Sequence, residues 1–170
     1  PIALRYICIV YINPCPGDPR MKKRLFIIDG HALCYRAYYA FIKNPLLNSE
    51  GQNTSAIFGF ARMLLRLITD QKPDYLAVAF DPPKKSFRFG LYPEYKANRV
   101  KMPDDLRSQI EEIKKMIEVL GITRIEEADF EADDVLGTVA KKYGTGDVEV
   151  MLVTGDKDAY QLVGGNVKIY

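Results

Sequence analysis

Seven acidic side chains are the residues of this sequence best suited to do chemistry, because the segments around them could bring them together. Three apolar runs end in aspartate, and one helical pattern begins with an acidic group. In an open parallel sheet, ligand sites form outside the carboxyl ends of the strands, so we expect these acids along one edge. They are Asp29, Asp81, Glu131, Asp133, Asp134, Asp156 and Asp158.

Carboxylates gathered at one edge repel one another, and divalent cations remove that conflict. The sequence has a single histidine and no CxxC pair, so the ligands would be oxygen atoms, which favour Mg²⁺ or Mn²⁺. Seven carboxylates exceed the needs of one ion, and two ions about 3.5–4 Å apart are the arrangement that phosphodiester hydrolysis uses. Taken singly, each acid is better explained as a turn or helix-cap residue, so the prediction rests on the set.

A basic segment, residues 84–101, supplies a candidate contact for a substrate. Six lysines and arginines lie in these eighteen residues against one acid, and four aromatic residues are interleaved with them. Cations bind phosphates and aromatic rings stack on unpaired bases, which is the composition of a single-strand-binding groove. A solvated loop with some buried aromatic residues is the alternative. The residues are Lys84, Lys85, Arg88, Lys96, Arg99 and Lys101, with Phe87, Phe89, Tyr92 and Tyr95.

The elements that must position these residues alternate between apolar runs and helical periodicities from Met21 onward. Strands are expected at 25–28, 75–80, 122–125, 148–153 and 167–170. Helices are expected from a cap at Asn53 or Thr54 to 68, from near Pro103 to a stop at Gly121, and over 132–143. Short connections between alternating strands and helices predict a three-layer α/β domain, with a mostly parallel central sheet and helices on both faces.

Residues 1–20 differ from the rest of the chain. An apolar run interrupted by Arg5 is followed by a stretch rich in proline, residues 13–19. The run is too short to span a bilayer, and no small-x-small cleavage site follows it. We interpret 1–20 as an upstream extension outside the core, with an additional edge strand as the alternative.

Composition excludes several classes of function. A net charge of +2 gives no global sign of a nucleic-acid partner, so that evidence must come from local clusters. Three cysteines and the lone His31 argue against a zinc site and against a Ser-His-Asp mechanism. The odd cysteine count fits a reducing cytosol, and we expect a cytoplasmic, monomeric protein without a membrane segment.

Seven short motifs occur in a recognisable order. They are Ile28-Asp29-Gly30-His31, Tyr35-Arg36, Ala79-Phe80-Asp81, Ser86-Phe87-Arg88, Tyr95-Lys96-Ala97-Asn98-Arg99, Glu131-Ala132-Asp133-Asp134 and Thr154-Gly155-Asp156-Lys157-Asp158. Each is weak alone, but the ordered set resembles the 5′–3′ exonuclease domain of bacterial DNA polymerase I, in the flap endonuclease family with its PIN-like sheet. The resemblance covers residues 21–170.

The resemblance implies roles for the matching residues. The seven acids would bind two divalent ions directly or through water. Tyr95, Lys96 and Arg99 would stand at the base of a helical arch over the substrate strand, with Lys96 close to the reaction, and Arg36 would meet a phosphate. The implied activity is metal-dependent phosphodiester hydrolysis near DNA 5′ ends in replication and repair, on an end, a flap or an RNA primer. Arg88 joins the nucleic-acid contacts as a member of the basic segment.

The family pattern continues beyond the end of this sequence into two further metal-binding aspartates and a helix-hairpin-helix. We therefore expect residues 21–170 to form a metal-binding domain truncated before that region, with one tighter and one weaker metal site. A non-catalytic nucleic-acid-binding fragment is one alternative. A phosphatase or phospho-acceptor domain is another, because aspartates at strand ends also serve as phosphoryl nucleophiles.

Overall fold

The structure, a computed structural model, describes residues 22–84, 86–92, 94–97 and 100–170. The predicted extension at 1–20 lies outside the described residues, as do Lys85 and Arg99 of the basic segment. In the described ranges, no helix has the length and apolar character needed to cross a membrane.

Five parallel strands form one sheet in the order β3-β2-β1-β4-β5. The strands are β1 Lys23–Asp29, β2 Tyr75–Ala79, β3 Thr123–Ile125, β4 Val148–Val153 and β5 Val167–Ile169. All five lie where the apolar runs predicted them. In the central strand, Ile28 pairs with Val78 on one side and with Val153 on the other, so β1, β2 and β4 end side by side.

Helices cover both faces of the sheet, which confirms the three-layer architecture. They are α1 Gly30–Ala40, α2 Ser55–Gln71, α3 Phe87–Leu91, α4 Asp104–Val119 and α5 Ala132–Tyr143, with a 3₁₀ helix at Lys157–Leu162. One core packs α1, α2 and α4 against Phe26, Ile28 and Val78 of the sheet. The other core packs α5 against Ile27 and Leu152.

Helix α2 begins where the prediction placed it, with Thr54 at the cap position. The Thr54 hydroxyl donates to the Leu46 carbonyl, and the Asn53 side chain accepts from the Ser55 N–H at 3.0 Å. The buried side chain of Gln109 in α4 accepts from the Ala56 N–H at 2.8 Å. A local side chain and a partner 53 residues away therefore share the first N–H groups of the helix, and only the distant partner has no sign in the local sequence.

Helix α1 follows β1 without a loop, and the sequence patterns did not predict it. A side chain at Gly30 would place its Cβ 2.6 Å from the Phe80 ring, so only glycine fits at this junction. The short connection makes Asp29 both the last residue of β1 and the N-cap of α1.

Candidate metal centre

Asp29 is fixed at both carboxylate oxygens. Its Oδ1 accepts from the Ala32 N–H at 2.9 Å, and its Oδ2 accepts from the Thr154 hydroxyl at 3.1 Å. The residue is only 6% exposed, and burial raises the pKa of its carboxyl group above the usual value. Asp29 therefore joins the end of β1 to the segment that follows β4.

Asp81 joins the end of β2 to the start of α5. Its Oδ1 accepts from the Ala132 N–H at 2.8 Å. Its own backbone N–H donates to Nδ1 of His31 at 3.1 Å, which ties it to α1 as well. A carboxylate at a helix N-terminus is stabilised by the helix dipole, so this contact also supports α5.

The pKa of Asp133 reflects the neighbouring acids. The residue is exposed, yet loss of solvation and the negative charges of Asp29, Asp156 and Asp81 together raise the pKa of its carboxyl group to about 6. Acids from the ends of three strands and from α5 thus share one electrostatic environment, which we call the acidic edge.

Asp156 and Asp158 open the 3₁₀ helix and are exposed. Oδ1 of Asp156 accepts from the Asp158 N–H at 2.9 Å, and its own N–H donates to the Thr154 hydroxyl at 3.1 Å. Asp158 lines a cavity of about 290 Å³ together with Glu131, Asp133 and Asp134. Asp158 therefore stands across this cavity from the start of α5.

Glu131 is buried and receives three side-chain hydrogen bonds from the basic segment. Its Oε1 accepts from Ser86 at 2.9 Å, and its Oε2 accepts from Tyr95 at 3.1 Å and from Lys96 at 2.9 Å. Burial would raise the pKa of Glu131, but the hydrogen bonds from Lys96 and Ser86 hold that pKa below its usual value. Glu131 is therefore ionised and neutralised by Lys96.

Asp134 forms a bidentate pair with Arg88, at 2.6 and 2.7 Å. These hydrogen bonds lower the pKa of Asp134. Its Oδ2 also accepts from the Glu131 N–H at 3.0 Å, which closes the first turn of α5. Arg88, predicted to contact nucleic acid, is thus engaged with an acid predicted to bind metal.

Charged and aromatic contacts hold the described part of the basic segment against the acidic edge. All five residues of α3 are at least partly exposed. The Phe87 ring lies 5.8 Å from that of Phe130, and the Phe89 ring meets that of Tyr95 edge-on at 5.4 Å. Two of the four aromatic residues predicted to stack on bases therefore pack on each other.

Arg36 lies apart from the basic segment, exposed on α1. It lines a cavity of about 330 Å³ with Met63, Arg66 and Tyr170 among others. The predicted phosphate contact of Arg36 would therefore be made on the α1–α2 side of the domain.

The carboxylate oxygens of the acidic edge are suitable ligands for a divalent cation, although the side chains as arranged do not surround one. In the part of the chain that the structure describes, no three Asp, Glu, His or Cys side chains could hold a metal ion as they are arranged. The ligands available are nevertheless carboxylate oxygens, the type that Mg²⁺ and Mn²⁺ prefer, and after desolvation the charges of Asp29, Asp156 and Asp81 raise the pKa of Asp133.

Three residues that hold these acids were not among the predicted site residues. They are His31, Ser86 and Thr154, which contact Asp81, Glu131 and Asp29 respectively. All three lie inside the short motifs of the sequence. Their motif positions were a usable signal, but their hydrogen-bond partners are 45 to 125 residues away.

The raised pKa of Asp133 predicts how the stability of the metal-free protein depends on pH. The folded carboxyl group binds its proton more tightly than the unfolded one, so unfolding releases a proton between pH 3.8 and about 6. The contribution of Asp133 to stability is therefore full below pH 3.8 and is lost as the pH rises through about 6. Urea unfolding in a chelator, for wild type and Asp133→Asn, should show stabilities that diverge over this range in favour of the variant. Parallel pH profiles would contradict the prediction.

Comparison with known proteins agrees with this geometry. The family described as 5′-3′ exonuclease, N-terminal resolvase-like domain, matches residues 24–170. The DNA polymerase I of Deinococcus radiodurans is 45% identical over 152 residues, which are 89% of this chain and 16% of the polymerase. That of Mycobacterium tuberculosis is 41% identical over 154 residues, 91% of this chain and 17% of the polymerase. The chain thus spans about a sixth of these relatives.

Solved structures share the fold. A T5 5′-exonuclease with bound zinc superimposes with a TM-score of 0.64 at 24% identity, over 87% of this chain and 55% of the other. The flap endonuclease-1 of Methanococcus jannaschii gives a TM-score of 0.56 at 24% identity, over 82% of this chain and 50% of the other. At these identities the similarity concerns the fold.

Proposed function

The chain belongs to the family of 5′–3′ exonuclease N-terminal, resolvase-like domains, and from this premise we propose that it hydrolyses phosphodiester bonds near DNA 5′ ends with divalent metal ions. One observation carries the proposal. The hydrogen bonds of Asp29 to Thr154 and of Asp81 to Ala132 fasten three strand ends and α5 into one acidic edge.

Four acids would form the centre of the metal site. Asp133 shares its electrostatic environment with Asp29, Asp81 and Asp156, and Asp158 follows on the 3₁₀ helix. Glu131 and Asp134 would join them once their basic partners move. Bound Mg²⁺ or Mn²⁺ would lower the pKa of a water at the scissile phosphate and neutralise developing charge, so no side-chain nucleophile is needed. T5 5′-exonuclease, which shares the fold, binds zinc, and this supports a divalent metal ion as the cofactor.

The basic segment would bind the substrate strand. Lys96 donates to Glu131 and Arg88 donates to Asp134, and the Tyr95 hydroxyl also donates to Glu131. A phosphate at this edge would offer the two cations an alternative anion, and the Tyr95 ring could stack on an unpaired base. By its place in the sequence of the basic segment, Arg99 would also bind phosphate, and Arg36 would bind a more distant phosphate. DNA with a 5′ end or flap is the proposed substrate, with an RNA primer as a variant, and the domain would act as a monomer in the cytoplasm.

The proposal predicts Mn²⁺-dependent cleavage of a 5′-flapped duplex that leaves 5′-phosphate ends. Cleavage should disappear in chelator, and p-nitrophenyl phosphate should remain intact in the same buffer. Cleavage by this chain should be assayed with DNA binding measured in parallel. Turnover of the phosphate ester without cleavage of DNA would favour a phosphatase instead.

A non-catalytic DNA-binding role is the second candidate. The observation that favours it is the pairing of Glu131 and Asp134 with Lys96 and Arg88, because these acids are already neutralised. DNA binding by this chain without cleavage at any Mn²⁺ concentration would support this candidate.

A further inference from the structure

The hydroxyl group of Thr154 links two acids that follow different strands. Its Oγ1 accepts the Asp156 N–H at 3.1 Å and donates to Oδ2 of Asp29 at 3.1 Å. A hydroxyl group carries one proton, so a hydroxyl that accepts from an N–H on one side offers that proton to the carboxylate on the other. The two partners together fix the rotation of the Thr154 hydroxyl.

Asp29 has little freedom of its own once this bond is made. Its second oxygen is held by the Ala32 N–H at 2.9 Å, and the residue is 6% exposed. The bond crosses from β1 to β4, whose residues Ile28 and Val153 are paired neighbours in the sheet. The same hydroxyl therefore sets the carboxylate plane after β1 and the start of the turn after β4.

We propose that Thr154 is a positioning residue that orients Asp29 and the Asp156 turn together, so that the metal positions of the acidic edge load as one unit. This inference rests on the proposed function and goes beyond it, because Thr154 itself would touch neither metal nor substrate. Residues that hold metal ligands in place typically change metal affinity by about 10–100-fold when they are replaced.

Thr154→Val removes the hydroxyl and keeps the branched shape. One oxygen of Asp29 then loses its donor, and the Asp156 N–H loses its acceptor. Both losses concern the orientation of ligands, whereas the strand ends at Val153 and its backbone pairing is unaffected. The variant should therefore fold, and its defect should appear in metal binding.

The experiment is calorimetric titration of the intact chain with Mn²⁺, with thermal unfolding in chelator as a second measurement. Thr154→Val should weaken every Mn²⁺ site by about 10–100-fold. The metal-free variant should still unfold cooperatively, at a temperature lowered by the loss of one hydrogen bond to a buried carboxylate. Thr154→Ser, which keeps the hydroxyl, should restore affinity. Thr138→Val is the matched control, because that hydroxyl donates to the Asp134 backbone carbonyl, at 2.7 Å, and leaves the carboxylates alone.

Outcomes separate the inference from the proposed function. If Thr154→Val binds Mn²⁺ like wild type, or weakens one site and spares another, the positioning role is overturned. The proposed function is not affected by that result. Wild type that binds no Mn²⁺ would overturn the proposed function and this inference with it. If Thr154→Val does not fold, Thr154→Ala takes its place and must also weaken Mn²⁺ binding at every site. Normal Mn²⁺ binding by Thr154→Ala would count against the positioning role.

Discussion

Replacing Asp133 with asparagine is expected to abolish cleavage of 5′-flapped DNA while stabilising the metal-free protein at neutral pH. Among the described residues, the Asp133 carboxylate accepts no hydrogen bond, so its removal breaks no structural contact. Its charge is instead repelled by Asp29, Asp156 and Asp81. If Asp133 binds metal and its charge destabilises the metal-free protein, its replacement should have opposite effects on activity and on stability.

The size of the expected effect follows from the chemistry. Loss of one preorganised electrostatic contact costs on the order of 10²–10³ in rate, and loss of a metal ligand should cost at least about 10³-fold. Cleavage under single-turnover conditions measures the effect on activity, and urea unfolding in chelator measures the effect on stability. Asp147→Asn, with the same charge change at an exposed site just before β4, should alter neither. An active Asp133→Asn variant would remove this residue from the metal site.

Asp81 and Asp134 give less direct tests, because each also supports the fold. Asp81 accepts from the Ala132 N–H at the start of α5, so Asp81→Ala would lose a helix contact together with a proposed ligand. Asp134→Ala would leave the Arg88 guanidinium without its bidentate partner and open the first turn of α5. The charge pattern alone predicts relief of repulsion at Asp134, whereas the structure predicts destabilisation.

Strand ends were predictable from the sequence, and the positions of three acids followed from them. Buried parallel strands appear in a sequence as continuous apolar runs, so the carboxyl ends of β1, β2 and β4 could be located. Asp29, Asp81 and Asp156 lie at or just after these ends. Helix α1 was not predicted by the same analysis. Its aromatic residues occupy both faces, with Tyr38 buried and Tyr39 51% exposed, so no single apolar stripe marks it.

Partners of the acids were not predictable, because they depend on contacts across the fold. Arg88 and Asp134 are 46 residues apart, and either could equally face solvent in an isolated segment. Glu131 lies off the apolar stripe of α5 and was expected to face the edge, yet Ser86, Tyr95 and Lys96 cover it so that it is 7% exposed. Only the tertiary position of the basic segment determines this burial.

Replacement of Lys96 is expected to have the second large effect, which is opposite for the binding of Mn²⁺ and the binding of DNA. Its ammonium lies 2.9 Å from Glu131 Oε2, so in the metal-free protein it takes the place of a cation. Lys96→Met should therefore strengthen Mn²⁺ binding, because a competing positive charge is lost and Glu131 becomes available. It should weaken DNA binding across sequences and lower the slope of log K against log salt by about one unit, as for one lost phosphate contact.

Methionine is the informative replacement because its stem can keep the packing of the lysine against the Tyr95 ring, 5.2 Å from the ammonium. Lys101→Met is the matched control, since Lys101 loses the same charge from the same segment but pairs with the exposed Asp104. The control should leave Mn²⁺ affinity unchanged. A purely structural role for Lys96 would weaken both ligands together, because loosening of the segment would disorder the acids and the DNA contacts alike. Stronger metal binding with weaker DNA binding would instead show that one ammonium serves the acidic edge before metal arrives and the phosphate afterwards.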